Sequence, residues 1–313
     1  MTDTLPNGAW PVMLTPFNDD RSIAWDEVDQ LTDWLIDNGS AGIFTVALSG
    51  EMYDLTEEER LDLARRVVAR TAGRVPVIAS SVSSGDADEQ ARSAGAMAAT
   101  GVDAVVLISS LVAGLDETDA IWEERVQHIL DENPGVDFGI YECPLPYKRL
   151  PSIELVRWMA ESGRFVFYKD TSHSVDTLRA RIDVMRGTRL KMYNAQISSL
   201  TDSLRAGGAG LSGYAANIHP ESVSWLCEHF DDAPADQVLT VQRLLTVAEH
   251  VINSRYPSSA KYYLSHSSKL RILPVSRWKP EGIGAHEGAP LVEFARYFDS
   301  LGLPNAARVA GAR

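Results

Sequence analysis

Short apolar stretches and longer amphipathic stretches alternate along the first two thirds of the chain. The apolar stretches are too short for buried helices and contain few polar residues, as is typical of parallel strands that are buried on both faces. The pattern predicts eight strands, at Trp10–Leu14, Gly42–Val46, Val75–Ser80, Ala104–Ile108, Phe138–Tyr141, Phe165–Lys169, Lys191–Asn194 and Gly210–Gly213.

Helical periodicity separates these predicted strands. Apolar side chains of residues 23–36 share one helix face, and Gly39 follows as a stop signal. Thr56 and Glu59 form the pattern of a capping box at the start of the next helix, which Gly73 closes. Further helices are predicted at Asp86–Thr100, Thr118–Glu132, Ser152–Glu161, Val175–Arg186, Ser198–Gly207 and Pro220–Phe230.

Eight strand–helix units imply right-handed crossovers and a parallel sheet. We expect closure into a (β/α)8 TIM barrel, an α/β fold, over residues 1–232. An open doubly wound sheet is the alternative, although no GxGxxG fingerprint follows the first strand. From Asp236 the alternation stops, and three helices predict a C-terminal helical extension over residues 233–313. Those helices are predicted at Asp236–Ser254, Pro257–Leu270 and Ala289–Leu301.

Charge and composition narrow the class of partners. The chain has 313 residues, 43 acidic and 29 basic, and a formal net charge of −14. This balance argues against nucleic acid and against an anionic membrane surface, since both need a face rich in Lys and Arg. Two cysteines suggest no disulfide framework. The N-terminal residues lack the pattern of a secretory signal, and no apolar run is long enough to span a membrane. We therefore expect a cytoplasmic protein.

One lysine lies at the end of a predicted strand, where the active site of a barrel is expected. Active sites of such barrels lie at the carboxyl ends of the strands, and Lys169 ends the sixth predicted strand. A low dielectric there lowers the pKa of an amine, and a neutral amine can attack a ketone to form a Schiff base. The phenol of Tyr141, at the end of strand five, can relay the protons of that reaction. Either residue taken alone fits a structural role as well, with Lys169 reaching to solvent and Tyr141 in the core.

Other strand ends supply candidates for substrate binding. After strand two, the turn Leu48–Ser49–Gly50 offers backbone N–H groups and a hydroxyl to a carboxylate. This turn can equally be a plain turn followed by an exposed acid. After strand eight, Ser212 and Asn217 are expected to line the back of the site.

Five motifs together carry a family resemblance: VMLTPFNDDRSIAWDEVDQLTDWLIDNG, SGEMYDLTEEER, YECP, YKDTS and AANIHPE. Over residues 8–300 the chain resembles the dihydrodipicolinate synthase / N-acetylneuraminate lyase family of class I aldolases. Tyr141 and Lys169 stand at the family's tyrosine-to-lysine spacing. The resemblance implies a Schiff base at Lys169, a 2-oxo acid substrate such as pyruvate, no metal or organic cofactor, and a homo-oligomer, a tetramer or a dimer.

The chain departs from that family's pattern at four positions. Leu48 replaces the first hydroxyl of the usual GTTGE loop, and Leu111 and Val112 replace a tyrosine pair. The arginine that binds the carboxylate of the aldehyde falls near Pro146, although Lys148 and Arg149 follow. These changes make true dihydrodipicolinate synthase activity less expected, and they suit a less polar, for example aromatic, aldehyde.

Three hypotheses for the function follow from the resemblance and from the departures from the family's pattern. The first is a lyase or aldolase that makes or breaks a carbon–carbon bond of pyruvate or a related 2-oxo acid. The second is a dehydratase acting on a 2-keto-3-deoxy sugar acid through the same imine. The third is a non-catalytic ligand-binding relative.

Overall fold

A parallel eight-stranded sheet forms the centre of the protein. The computed structural model describes residues 4–303. The strands pair in the order β1-β8-β7-β6-β5-β4-β3-β2. Their bounds are β1 (Gly8–Ala9), β2 (Ile43–Thr45), β3 (Val77–Ser81), β4 (Ala104–Ile108), β5 (Phe138–Tyr141), β6 (Phe165–Asp170), β7 (Lys191–Asn194) and β8 (Gly210–Leu211).

The sheet closes between its first two strands. Val12 forms a parallel bridge to Phe44, the Met13 N–H donates to the Phe44 carbonyl at 2.9 Å, and the Phe44 N–H donates to the Pro11 carbonyl at 3.0 Å. Each of the other neighbours is a parallel pair. The predicted (β/α)8 barrel is therefore confirmed, and the open sheet is not formed.

Helices surround the barrel and follow its strands. The capping box at Thr56 is confirmed, since Glu59 N–H donates to Thr56 Oγ1 and Thr56 N–H donates to Glu59 Oε2. The helices are α1 (Trp25–Asp37), α2 (Glu57–Thr71), α3 (Ala87–Ala98), α4 (Ser109–Val112), α5 (Asp119–Glu132), α6 (Ile153–Glu161), α7 (Val175–Met185), α8 (Leu200–Ala206), α9 (Tyr214–Ile218), α10 (Pro220–His229), α11 (Ala235–Asn253), α12 (Ser258–Ser267) and α13 (Ala285–Ser300).

Element bounds differ from the predictions in two main places. The first strand is Gly8–Ala9 and not Trp10–Leu14, because Pro11 has no N–H to continue a ladder. The last helix begins at Ala285 and not at Ala289. The Glu287 carboxylate there accepts a hydrogen bond from the Gly284 N–H and so caps a turn ahead of Pro290. Two short helices, α4 and α9, also lie in segments predicted as loops.

Aromatic side chains fill the barrel below its mouth. Trp10 contacts Phe167 and Tyr193, with ring centroids 5.4 and 5.5 Å apart, and Phe167 stacks on Tyr193 at 4.5 Å. Phe44 packs edge-on against Phe167 from the other side. This plug supports the side chains at the carboxyl ends of the strands and closes the barrel beneath them.

Helices α11, α12 and α13 form the helical extension. They pack on one another and on α9, the short helix that follows β8. The extension therefore sits against the end of the barrel where the active site is expected. The predicted division at residues 232/233 stays a prediction, and residues 1–3 and 304–313 of the predicted segments lie outside the described residues. No helix within residues 4–303 combines the length and apolar character needed to cross a membrane.

Candidate active site

Strand register brings the predicted amine and phenol together. Tyr141 on β5 and Lys169 on β6 are paired across neighbouring strands, so both side chains point into the barrel. The Lys169 Nζ lies 4.1 Å from the centre of the Tyr141 ring and 5.7 Å from that of Phe44. Each of the two predicted residues is only 4% exposed. Lys169 is therefore a buried lysine and does not reach out to solvent.

The surroundings of Lys169 favour its neutral form. Burial lowers the pKa of Lys169 from 10.5 to about 7, while nearby Cys143 and Glu249 act in the opposite direction. Within the described part of the chain, the ammonium has aromatic faces beside it but neither a hydrogen bond nor an ion pair. An amine in this state is available as a nucleophile near neutral pH.

A chain of polar groups leads from Tyr141 toward solvent. Its phenol lies within hydrogen-bonding reach of the Cys143 thiol. On the other side of Cys143, the Tyr53 hydroxyl lies 3.9 Å from Sγ and donates to the Leu145 carbonyl at 2.8 Å. Burial raises the pKa of Tyr141 well above its usual value, so the phenol keeps its proton at neutral pH. Tyr53 is 36% exposed and can exchange protons with water.

The turn after β2 has a constrained backbone. Leu48–Gly50 forms one turn of 3₁₀ helix. Glu51 directly after it has a φ of 61°, and Val46, two residues before it, has a φ of 49°. Positive φ is unfavourable for a β-branched residue such as Val46 and is commonly retained at functional sites. The Gly50 position also excludes a side chain, because a Cβ would lie 2.8 Å from the Met13 carbonyl oxygen.

This turn presents different donors from those predicted. The Gly50 N–H, which the sequence assigned to a substrate carboxylate, donates instead to the Ala47 carbonyl at 2.9 Å. The N–H groups of Leu48 and Ser49 come first in the 3₁₀ turn, ahead of any intrahelical acceptor, and have no partner among residues 4–303. Ser49 is 3% exposed and its hydroxyl lies beside the Tyr256 phenol. The N–H groups of the turn that are available to a ligand are thus those of Leu48 and Ser49.

Glu51 ties this turn to the helical extension. The alternative of an exposed acid is wrong, since Glu51 is 1% exposed. Its carboxylate pairs with Lys261 Nζ at 2.7 Å and accepts hydrogen bonds from Ser276 Oγ and the N–H groups of Arg277 and Trp278. The extension therefore holds the turn in place through a fully buried ion pair.

Ser212 and Asn217 lie where the sequence placed them, after β8 and inside the protein. Asn217 Nδ2 donates to the Val12 carbonyl at 2.9 Å and to the Tyr256 hydroxyl at 2.8 Å, which gives this side chain a structural task. Its Oδ1 and the Ser212 Oγ are buried with no partner among residues 4–303. Buried polar atoms without partners are uncommon, which makes these two atoms candidates for contact with a ligand.

A buried polar network fixes β5 and β6 from outside the barrel. The Tyr168 hydroxyl donates to Glu142 at 2.6 Å, the Thr171 N–H donates to the other oxygen of Glu142 at 2.8 Å, and Arg181 pairs with both Glu142 and Asp170. Glu142, Tyr168 and Asp170 alternate with Tyr141 and Lys169 along the chain and so face the helices. The network orients the two inward-facing side chains through their neighbours.

The cations near the predicted aldehyde site are already engaged. Arg149 donates to the carbonyl oxygens of Gly114 and Glu117 and pairs with Asp119 at 2.8 Å. Lys148 Nζ donates to the Thr171 carbonyl. Neither side chain therefore replaces the carboxylate-binding arginine missing at Pro146. Within residues 4–303, His, Cys, Asp and Glu side chains form no cluster of three suited to a metal ion.

Sequence reasoning missed Glu249 of α11, which lies near Lys169. One signal existed: Glu249 follows the buried Leu245 by four residues and precedes the buried Ile252 by three, so it falls on the apolar stripe of an amphipathic helix. Burial raises the pKa of Glu249 to about 7, against the effects of the Ala215 N–H and of Lys169. Tyr53 was also missed, since nothing in MYDL marks it.

Known proteins resemble this chain over most of its length. The sequence profile of the dihydrodipicolinate synthetase family matches residues 5–270. A 4-hydroxy-tetrahydrodipicolinate synthase of Gluconacetobacter diazotrophicus is 27% identical over 273 residues, which cover 85% of this chain and 88% of the relative. An uncharacterized DapA-like lyase of Halobacterium salinarum is 30% identical over 233 residues, 74% of each chain.

Solved structures share the fold. Dihydrodipicolinate synthase DapA-2 of Bacillus anthracis superposes with a TM-score of 0.84 at 21% identity, covering 94% of this chain and 99% of that one. YagE of Escherichia coli K12, a prophage protein of the dihydrodipicolinic acid synthase family solved in complex with pyruvate, also gives 0.84, at 20% identity and with 94% and 98% coverage.

Proposed function

Because the chain belongs to the dihydrodipicolinate synthetase family, we propose that it is a class I lyase that binds pyruvate or a related 2-oxo acid as a Schiff base on Lys169. One observation carries the proposal. The Lys169 amine is buried against the Tyr141 ring without a hydrogen bond among residues 4–303, and its pKa is lowered to about 7. The pyruvate bound to YagE supports this choice of donor substrate.

The turn after β2 holds the carboxylate of the 2-oxo acid. The N–H groups of Leu48 and Ser49 and the Ser49 hydroxyl are its donors, in a setting that Glu51 and the helical extension make rigid. Preorganised donors cost little reorganisation when the anion binds. The keto carbon of the substrate then lies toward Lys169.

Lys169 and Tyr141 carry out imine formation. The neutral amine adds to the keto carbon and gives a carbinolamine, and the Tyr141 phenol passes a proton to the hydroxyl that leaves as water. Cys143 and Tyr53 connect that phenol to solvent, so the proton can be replaced. This route takes the place of the missing hydroxyl at Leu48 and the missing tyrosines at Leu111 and Val112.

The protonated imine is an electron sink. Loss of a proton from the carbon next to it gives an enamine, which adds to an aldehyde and forms a carbon–carbon bond. Water then hydrolyses the new imine and frees Lys169, and the same steps in reverse cleave the bond. A dehydratase acting on a 2-keto-3-deoxy sugar acid uses the same imine and stays an alternative, as does a non-catalytic ligand-binding relative.

True dihydrodipicolinate synthase activity is the less favoured assignment. Pro146 stands where an arginine binds the carboxylate of that enzyme's aldehyde, and Arg149 and Lys148 are engaged elsewhere. The homo-oligomer and the cytoplasmic location inferred from the sequence stay predictions.

Deuterium exchange at the methyl group of pyruvate tests the proposal without any knowledge of the aldehyde. In D₂O, NMR should show the methyl protons disappearing in the presence of the protein, because the enamine is reprotonated from solvent. Lys169→Ala should abolish the exchange. An exchange rate equal to that of protein-free buffer would support a binding protein instead of an enzyme.

Tyr141→Phe is the second test, because it removes one hydroxyl from a fully packed ring. We expect exchange to slow by about 10²- to 10⁴-fold, the usual contribution of a positioned proton donor. Circular dichroism should show an unchanged fold. A variant that exchanges at the wild-type rate would remove Tyr141 from the mechanism.

A further inference from the structure

A second subsite borders the amine on the side of the helical extension. A cavity of about 180 Å³ lies between the ends of β7 and α9 and the inner face of α11. Gln196, Tyr214 and Glu249 are among the residues that line it. This is the end of the barrel at which Lys169 lies, and the cavity is distinct from the turn that holds the 2-oxo acid.

Glu249 has one carboxylate oxygen to spare in this cavity. The Ala215 N–H lies beside the carboxylate, and Oε2 is buried without a hydrogen-bond partner in the described part of the chain. Among residues 4–303, Glu249 forms no ion pair within 4 Å, and the nearby charge that acts on it is that of Lys169. A buried carboxylate oxygen without a donor is costly, and a donor supplied by a ligand removes that cost.

We propose that Glu249 forms the binding site for the distal part of the substrate and selects chains that carry an uncharged hydroxyl next to the reacting carbon. This inference rests on the proposed function, because Lys169 must first bind the 2-oxo acid portion. The hydroxyl donates to Glu249 Oε2. Such a chain occurs both in hydroxylated aldehydes, as aldol partners, and in 2-keto-3-deoxy sugar acids.

The wall of the subsite supports this chemistry. Tyr214 stacks on Tyr256 with ring centroids 4.0 Å apart, and Tyr256 reaches the carboxylate-binding turn at Ser49. The two rings therefore join the two subsites. A second carboxylate on the aldehyde would face Glu249, and like charges in a low dielectric repel strongly. Arg149 and Lys148 are engaged elsewhere, and His250 is the basic side chain among the residues that line the cavity.

An acceptor panel with Glu249→Gln tests the inference. The wild type and the variant are supplied with pyruvate and with glyceraldehyde, glyoxylate or benzaldehyde, and product formation and pyruvate deuterium exchange are both measured. The amide keeps the size and shape of the side chain but not the negative charge. Asp236→Asn, at an exposed position of the same helix, is the control for loss of one charge.

We expect the wild type to prefer glyceraldehyde. Glu249→Gln should lower kcat/KM for glyceraldehyde by about 10- to 100-fold, as for loss of a hydrogen bond to a charged group, and raise the relative use of glyoxylate. Exchange should change less than about twofold in Asp236→Asn, and in Glu249→Gln it should fall less than the use of glyceraldehyde does, although the charge of Glu249 also acts on Lys169. An unchanged acceptor ranking, no turnover of glyceraldehyde, a preference for benzaldehyde, or an equal loss of exchange in Glu249→Gln would overturn the subsite. Absence of exchange in the wild type would instead refute the Schiff-base function itself.

Discussion

Two lysines of this protein are buried and differ in their partners. Lys169 is 4% exposed and lies 4.1 Å from the centre of the Tyr141 ring, while Lys261 is fully buried and lies 4.5 Å from that of Phe17. Lys261 has a carboxylate partner, Glu51 at 2.7 Å, and donates to the Val275 carbonyl at the same distance. Within residues 4–303, Lys169 has neither kind of partner.

The difference shows that burial alone does not make a lysine reactive. Burial lowers the pKa of both side chains, but Glu51 partly offsets that effect at Lys261. Lys261 therefore serves as a cation that fixes the turn after β2, and Lys169 is free for its proposed role as a nucleophile. The presence of a carboxylate partner, more than burial or an aromatic neighbour, distinguishes the structural lysine from the proposed nucleophile.

Lys169→Met should have the largest effect, because it removes the proposed nucleophile. Enamine exchange should disappear, while the free energy of unfolding should rise by a few kcal/mol near pH 7, because an unpaired buried amine is removed. The unfolded chain protonates this amine below about pH 10.5 and the folded chain only below about pH 7, so the gain should be largest at or below pH 7 and vanish above pH 10.5. Urea unfolding at several pH values checks this. A destabilised variant would contradict an unpaired amine.

Lys261→Met should have the opposite effect on stability. Glu51 would be left as a buried, unpaired carboxylate, which costs about 3 to 5 kcal/mol. Urea unfolding measures the loss, and Lys269→Met, at an exposed position on the same side of the extension, should change stability by less than about 0.5 kcal/mol. Pyruvate binding should weaken as well, since the turn loses its anchor. Equal effects of Lys261→Met and Lys269→Met on stability and on pyruvate binding would show that the ion pair does not hold the turn.

The pH dependence of imine formation distinguishes a lysine with a lowered pKa from an ordinary lysine. The neutral fraction of Lys169 rises tenfold per pH unit below its pKa of about 7 and levels off above it. The rate of imine trapping at subsaturating pyruvate should follow that curve between pH 5 and 9. Tyr141 keeps its proton throughout, because its pKa lies well above 10. A rate still rising tenfold per unit at pH 9 would indicate an ordinary, unperturbed lysine.

Tyr53→Phe should give the smallest effect. It removes the hydroxyl between Cys143 and solvent but leaves Tyr141 in place, so exchange should slow by no more than about tenfold. The solvent isotope effect on the exchange should increase if proton supply becomes slower. Tyr297→Phe, at an exposed position of α13, is the matched control. Identical rates and isotope effects in the two variants would exclude Tyr53 from the relay.

The barrel and the proximity of Tyr141 and Lys169 could be predicted because the sequence signals for them are local. Apolar strands and amphipathic helices alternate, and the carboxyl ends of neighbouring strands meet by topology, which brought Tyr141 and Lys169 together. The use of the Gly50 N–H within its own turn could not be predicted, because it depends on the 3₁₀ geometry.

The parts of the site that the sequence did not predict depend on contacts between residues that are far apart in the sequence. Glu51 meets Lys261 across 210 residues, and Glu249 reaches the barrel mouth from a helix whose docking no periodicity specifies. Periodicity can show that a charged residue falls on a buried stripe, but not which group it will face. The extension therefore contributed the parts of the site that the sequence left unassigned.

Borohydride reduction in the presence of pyruvate, followed by peptide mapping, tests the central claim most directly. The account predicts one added reduced pyruvate per chain, on the peptide that contains Lys169, and none on the peptide that contains Lys261. An unmodified chain, or label distributed over exposed lysines while Lys169 stays unmodified, would contradict it.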